Sequence, residues 1–338
     1  MLKRLRLKNF RNFEHFEVAF DPKINLIVGP NAIGKTSLLE AIHFLSTGRS
    51  FRTAHLHELI RHGENSFAIE AEFIENGVPG SLQITYDGTK RKVLHNASTY
   101  HNFASLLGTL PSVVLTPTDS ELITGTPSYR RRFLNIHLSQ NQPLYLYHLA
   151  RYSRALKQRN TLLKMGQING IEAFEGPMSV AAEYIHHERE KALESILGRA
   201  QQFLELLTPK TEKLSLRYLP SLVKQGFSET REKELEAKTT LHGPHRDDFS
   251  IRLTDREAKG FASEGQKRSI VAALKLAEWK EGALFGIDDF GVHLDEMRKE
   301  ALVLETKKLG QVFLTAPELI NNLDCKEITL AASSVLPA

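Results

Sequence analysis

Ile24-Asn25-Leu26-Ile27-Val28-Gly29-Pro30-Asn31-Ala32-Ile33-Gly34-Lys35-Thr36-Ser37 is the stretch that decides the fold of this chain. A short apolar run ends at Gly29, the residues from Gly29 to Thr36 match G-x-x-x-x-G-K-[ST], and from Ser37 to Leu45 apolar side chains recur at helical spacing. Strand, glycine loop and helix in that order are what a phosphate-binding loop requires. Glycines let successive backbone N–H groups wrap an anion while the helix directs its positive end at the charge. The reading assigns Gly29, Pro30, Asn31, Ala32, Ile33, Gly34, Lys35, Thr36 and Ser37 to a nucleotide site. Lys35 reaches the β- and γ-phosphates, and the Thr36 hydroxyl holds Mg²⁺.

A metal at such a loop needs a second anchor, an acidic residue at the end of a buried strand. Ala283 to Ile287 is apolar and leads into Asp288-Asp289. Asp288 is the expected metal residue. Asp289 is expected to face the attacking water as general base or orienting group, because adjacent side chains at a strand end point in different directions.

Outward from these motifs, alternation over Leu2–Leu7 and at Phe16, Val18 and Phe20 predicts two half-buried strands. Ala68–Phe73 and Leu82–Tyr86 flank Asn76-Gly77 and predict an antiparallel pair. Helical periodicity then runs from about Pro143 to Leu207, strand signals return at Phe249–Leu253, and a helix follows from Glu264 to Trp279. The expected organisation is an α/β head of mixed sheet and helices from residues 1–110 and 240–338, with a mainly helical lobe, 111–239, inserted into it. The charged positions Arg151, Arg154, Lys157, Arg159, Glu188, Arg189, Glu190 and Lys191 read as the solvated side of the lobe's helices in preference to a dedicated contact surface.

With 338 residues, 41% apolar and 25% charged, the chain is long enough for a head plus a lobe and is neither disordered nor fibrous. The formal charge of +4 permits contact with phosphate backbones without identifying a partner. Cys325 is the single cysteine, which excludes an internal disulfide and a thiolate-rich metal site. No segment has the length and apolarity of a membrane span, and the basic start around Lys3, Arg4, Arg6, Lys8 and Arg11 yields no signal-peptide core; the expected location is cytoplasmic, without a membrane partner.

Phe261-Ala262-Ser263-Glu264-Gly265-Gln266-Lys267-Arg268, just before a helix, resembles the signature motif of ABC-type ATPases. That resemblance implies that Ser263, Glu264, Gly265, Gln266 and Lys267 of one subunit meet nucleotide held by the loop of another. ATP then joins two heads as a homodimer, with Asp295 in a loop that crosses the interface. A wider resemblance, to the RecF family, rests on Leu7-Lys8-Asn9-Phe10-Arg11-Asn12-Phe13, the G-x-N-x-x-G-K-T loop, Gly48-Arg49-Ser50-Phe51-Arg52-Thr53, and Thr116 to Ile123 followed by Arg130-Arg131-Arg132-Phe133-Leu134. It continues through Gly243-Pro244-His245-Arg246-Asp247-Asp248 to the signature and the acidic strand. The resemblance implies an ABC-type head with a helical lobe and a weak, DNA-stimulated ATPase. It also implies binding of double-stranded DNA and of gaps or single-strand junctions, and cooperation with RecR and RecO in loading RecA. Arg11 and Asn12 are implied to approach the nucleotide.

Three positions depart from the family pattern: Gly286 interrupts an apolar strand, His293 stands where an acidic residue is usual, and Glu264 stands at a position more often neutral. A carboxylate close to a trans γ-phosphate weakens ATP-driven dimerisation unless Glu264 points away or pairs with Lys267 or Arg268. Arg130, Arg131 and Arg132 divide between DNA contact and internal salt bridging. His242 and His245 read as flanking a rigid Gly-Pro turn in preference to a metal pair, with Arg246 and Asp247 in a local ion pair or near nucleotide or DNA, and His186-His187 as surface. The competing functions fit less well. An ABC transporter subunit carries L-S-G-G-Q and a switch histidine that Val312-Phe313-Leu314-Thr315 lacks. A structural chromosome-maintenance ATPase needs long heptads. An overcoming-lysogenization-type nuclease needs a further acidic domain, and a kinase or GTPase leaves the signature unexplained.

Overall fold

The computed structural model describes residues 1–101, 103–208, 212–221, 226–291, 296–320 and 323–331. The chain forms two compact units, Met1–Asp119 with Glu278–Ala338 and Ser120–Ala277.

The first unit begins with strands β1 (Leu2–Phe10), β2 (Phe13–Ala19) and β3 (Ile24–Val28), then helix α1 (Lys35–Thr47). Strands β4 (Phe67–Glu75), β5 (Val78–Tyr86), β6 (Arg91–His95), β7 (Ser98–Tyr100) and β8 (Ser112–Leu115) follow. One antiparallel sheet has the order β2-β1-β4-β5-β6-β7. Leu5 and Leu7 of β1 lie opposite Ala71 and Ile69 on its buried face, while Arg4 and Arg6 form ion pairs with Glu17 and Glu72 on the other. The β4–β5 connection puts Asn76 and Gly77 at positive φ, the conformation that tight hairpins favour.

The second unit holds α2 (Glu121–Thr124), α3 (Pro127–Asn141), α4 (Pro143–Lys164), α5 (Glu172–Leu207), β9 (Leu214–Leu219), α6 (Arg231–Ala237), β10 (Asp248–Leu253), β11 (Arg256–Glu257), α7 (Ala258–Phe261) and α8 (Glu264–Glu278). The chain then returns to the first unit with β12 (Leu284–Ile287), α9 (Glu296–Thr306), β13 (Val312–Ala316) and β14 (Lys326–Thr329). These strands complete a five-stranded parallel sheet of order β14-β3-β13-β12-β8. Helix α1 packs on both this sheet and the antiparallel one, so every residue of α1 except Thr36 is buried.

The compact units divide at 277/278, whereas the sequence reading placed the return to the head at 240. The reason is local pairing: β10 hydrogen-bonds to β9 over Asp248–Leu253, and α3 and α7 pack on β10. The helical segment 143–207 breaks at residues 165–171 into an α4–α5 hairpin. Two of the charged positions assigned to its solvated side are corrected, because Arg159 and Arg189 are fully buried. Arg159 forms ion pairs with Glu175 at 3.0 Å and Glu234 at 2.7 Å, and donates to Thr240 Oγ1. Arg189 donates to Asp247 Oδ2 at 2.7 Å and to the Pro244 carbonyl. Removing one member of a buried pair leaves an uncompensated charge, at a cost of about 3–5 kcal/mol. Periodicity cannot distinguish such an arginine from a solvated one. His186 also departs from the surface reading. Its Nε2 lies 3.2 Å from Asp247 Oδ2, without the alignment of a hydrogen bond, while His187 is exposed.

Candidate functional site

Three parallel strands bring the chemistry together. β13 lies between β3 and β12, with Leu314 opposite both Leu26 and Ile287, so the segments after β3 and β12 emerge at the same carboxyl edge. Ligand sites of parallel sheets form at that edge.

The loop after β3 holds Gly29 at φ 152°, Ala32 at φ 66° and Gly34 at φ 117°. A Cβ on Gly29 would stand 2.6 Å from the Leu330 carbonyl oxygen, and one on Gly34 would stand 2.6 Å from Asn12 Nδ2. Gly29 therefore excludes a side chain on backbone contact as well as on conformation, and Gly34 disfavours one through its positive φ. Lys35 Nζ donates to the carbonyls of Gly29 at 2.7 Å and Pro30 at 2.9 Å, drawing the ammonium over its own loop. Gly34 caps α1 without a side-chain acceptor, which leaves the first N–H groups of the helix for an anion.

Thr36 Oγ1 donates to Asp288 Oδ1 at 2.9 Å, joining residues 252 positions apart. The same Oδ1 accepts from Thr315 Oγ1 at 2.8 Å, and Thr315 Oγ1 in turn accepts from the Asp289 N–H. Burial raises the Asp288 pKa, and the charge of Asp289 adds to it; the hydrogen bonds from Thr315 and Thr36 and the charge of Arg52 act the other way. A desolvated carboxylate beside a hydroxyl oxygen is a hard-oxygen donor set suited to Mg²⁺, whose charge would offset the desolvation. Asp289 takes φ 52°, in the left-handed region, and its side chain is half-buried.

Gly286, read from sequence as a weak point, has a packing reason. A Cβ there would meet Leu39 Cδ1 at 2.6 Å and Val114 Cγ2 at 3.3 Å, so the glycine admits α1 close against the sheet. Asn12 Nδ2 donates to the Ile33 carbonyl and so braces the phosphate loop. Arg11 is engaged within the protein. Its guanidinium clamps buried Glu40 through two bonds of 2.8 and 2.7 Å and donates to the Glu58 carbonyl. Glu40 also accepts from Ser50 Oγ and pairs with half-exposed Arg52 at 3.5 Å. Glu40, Arg52 and Thr315 were missed by motif reasoning. The sequence signals for them are the stretch 48–53, which holds Arg52, and Thr315 at the end of the apolar run 312–314.

The signature segment lies in the second unit. Ser263 and Glu264 are exposed. The Ser263 N–H donates to Gln266 Oε1 at 2.6 Å, and the Gln266 N–H donates to Ser263 Oγ at 3.2 Å, a reciprocal capping box that starts α8. Because Ser263 Oγ accepts in that box, its own hydrogen remains available to an outside acceptor. Glu264 accepts from Lys267 Nζ at 2.9 Å, and that pairing lowers its pKa. Gln266 is further tied to Glu212. Asp295 and His293 lie outside the described residues.

Among the other candidates, Arg130 is bound bidentately to Asp248 at 2.6 and 2.9 Å, Arg131 donates to the Asp247 carbonyl at 2.7 Å, and Arg132 has a partner of its own. Of the two readings for this run, the geometry favours internal pairing. Asp247 pairs with Arg189, not with Arg246, and also accepts from Tyr218 and the Ser221 N–H. His245 bridges Tyr152 OH and the Thr240 carbonyl, which fits the rigid turn; no group of three metal-capable side chains occurs among the described residues. No helix among them is long and apolar enough to cross a membrane.

The family described as RecF/RecN/SMC N terminal domain matches residues 1–319. The chain is 41% identical to the DNA replication and repair protein RecF of Protochlamydia amoebophila, covering 96% of each chain. It is 37% identical to that of Chlamydia caviae, covering 93% of this chain and 91% of the relative. Its fold superposes on the recombination mediator RecF-ATP of the RecFOR pathway with a TM-score of 0.87 at 29% identity, over 97% of this chain and 95% of the other. The Smc head domain of Pyrococcus furiosus superposes with a TM-score of 0.57 at 16% identity over 94% of this chain and 89% of the other, a likeness of fold alone.

Proposed function

This chain belongs to the RecF family of DNA replication and repair proteins, and on that premise we propose that it is an ATP-gated clamp on DNA. The contact between Thr36 and Asp288, made beneath a loop that Lys35 closes, is the observation that carries the reading. On ATP binding, Lys35 exchanges the carbonyls of Gly29 and Pro30 for β- and γ-phosphate oxygens. Mg²⁺, when held by Thr36 and Asp288, neutralises charge on those phosphates. Asp289 takes the proton of the attacking water or orients it, while Thr315 holds both aspartates in place.

Ser263 of a second copy donates its free hydroxyl hydrogen to the γ-phosphate, and the start of α8 adds its positive end. Glu264 does not oppose this, because Lys267 pairs with it. ATP thus joins two protomers on DNA, at gaps or at single-strand/double-strand junctions as well as on duplex, and slow hydrolysis stimulated by DNA releases them. RecR and RecO are the proposed partners, and RecA loading is the proposed outcome.

The test is sizing in solution with and without Mg-ATP, in the presence of a short duplex, for the wild type and for Lys35→Met. A nucleotide-dependent dimer that the variant cannot form is expected. A wild-type monomer under every condition would overturn the clamp.

A further inference from the structure

From residue 122 to residue 171 the chain contains no aspartate or glutamate, although the whole sequence has 40. The same stretch holds eight basic residues, a formal +8 against +4 for the entire chain, so the remainder is net acidic. Four of the eight have internal partners: Arg130, Arg131 and Arg132 of α3, and buried Arg159. The other four, Arg151, Arg154, Lys157 and Lys164, all lie on α4. Their side chains make no hydrogen bond and no ion pair among the described residues.

Helix geometry aligns them. The residues that α4 buries include Tyr145, Tyr152, Ala155, Arg159 and Leu163. At 100° per residue, Arg154, Lys157 and Lys164 fall on the opposite side and Arg151 on its flank. Arg151, Arg154 and Lys157 follow one another at i,i+3, and the row from 151 to 164 extends about 20 Å at 1.5 Å per residue. The neighbouring helix shows what an ordinary solvated face looks like here. Exposed Glu183, Glu190, Lys191 and Glu194 of α5 mix both signs, and Lys191 stands 3.9 Å from Glu188. On α4, like charges three residues apart repel with nothing on the helix to offset them. A row of one sign, unpaired and rigidly spaced, fits an external polyanion.

We propose that the outer face of α4 is a sequence-independent binding surface for the phosphate backbone of duplex DNA, with Arg151, Arg154, Lys157 and Lys164 as its contacts. Twenty ångströms of helix matches about six phosphates along one strand at 3.4 Å each. The face carries one exposed aromatic, Tyr147, so it offers no row of rings for stacking single-stranded bases. Its exposed large apolar side chains, Leu144 and Tyr147, lie in the first turns of α4 ahead of Arg151 and not among the four cations, so the row has no apolar centre of the kind a protein partner's interface would require. The proposal rests on the DNA-binding part of the function above and locates it on α4, away from the arginine run at 130–132.

The experiment measures binding of a fluorescent duplex of arbitrary sequence by the full chain across a salt series. The proteins are the wild type, the triple variant Arg151→Gln/Arg154→Gln/Lys157→Gln, and the charge-preserving Arg151→Lys/Arg154→Lys. Each lost phosphate contact should make the slope of log affinity against log salt shallower by about 0.9. The triple variant should therefore lose roughly 2–3 units of slope, and the lysine variant should keep the wild-type slope. An unchanged slope and affinity in the triple variant overturns the proposal. So does a variant that keeps duplex binding but loses binding to polyglutamate, which would mark a surface for an acidic protein. A wild type without duplex affinity overturns it as well. If the triple variant fails a urea-unfolding control, Arg154→Gln alone, with an expected loss of about one unit of slope, decides the matter. ATP-dependent dimerisation is sized on the same samples. Slope loss without any wild-type dimer leaves the α4 surface standing while the clamp reading falls.

Discussion

At Gly286 a single missing methyl lets the helix that carries Lys35 and Thr36 sit on the strand that carries Asp288. Replacing Gly286 with alanine has two opposed effects. Stiffening the unfolded chain stabilises by about 0.4–1 kcal/mol, whereas a Cβ 2.6 Å from Leu39 Cδ1 overpacks the core at about 1–3 kcal/mol. The second effect wins, so Gly286→Ala should lower the urea midpoint of the first unit and separate Thr36 from Asp288, weakening nucleotide affinity as well. A stable Gly286→Ala protein with wild-type ATP affinity would show that the close approach is unimportant. The departure from the family pattern at this position is thus a packing solution for the site.

The turn Gly243–Asp248 organises the second unit at the level of its elements. Asp247 gathers Arg189 from α5, Tyr218 from β9 and the Ser221 N–H, while His245 links Tyr152 of α4 to the Thr240 carbonyl. Burial lowers the His245 pKa from 6.5, and the charges of Arg246 and Arg131 add to this, against the Thr240 carbonyl and Asp247. The folded state therefore favours neutral His245, with Nε2 donating to Thr240 and Nδ1 accepting from Tyr152. Its contribution to stability is present in full above the unfolded pKa of about 6.5 and is lost as the pH falls through that value toward the folded one. Urea midpoints measured at pH 7.5 and 5.5 should decrease toward acid, and His245→Gln should flatten that dependence. Equal slopes in the two proteins would remove His245 from the account.

Across the whole molecule, the proposed nucleotide site depends on contacts between distant parts of the chain. β3, near the start, obtains its neighbours from residues 312–316 and 326–329, and Asp288 reaches Thr36 only after the entire second unit has been made. Such long-range pairing is slow to form, and a ligand that bridges Thr36 and Asp288 should stabilise it. Mg-ATP at about 100 times its dissociation constant should add about 2.7 kcal/mol to the unfolding free energy of the first unit. Hydrogen exchange can read this as protection of residues 24–47 and 284–289 that Lys35→Met abolishes. No added protection in the wild type would count against ATP binding at this loop.

The strand, glycine loop and helix over residues 24–47, the strand that ends at Asp288 and the helix that starts at Glu264 were all legible in the sequence, because each is a pattern of neighbouring residues. The strand Ile24–Val28 needed only its own apolar run and Gly29 to be recognised. The tertiary structure alone decided that Thr315 holds Asp288, that Arg11 clamps Glu40, and that Arg159 and Arg189 are core residues while Arg154 and Lys157 are not. An arginine at a given helical position reads the same whether it meets water or a buried carboxylate. What distinguishes the two is a partner such as Glu234 or Asp247, dozens of residues away and brought close only by folding.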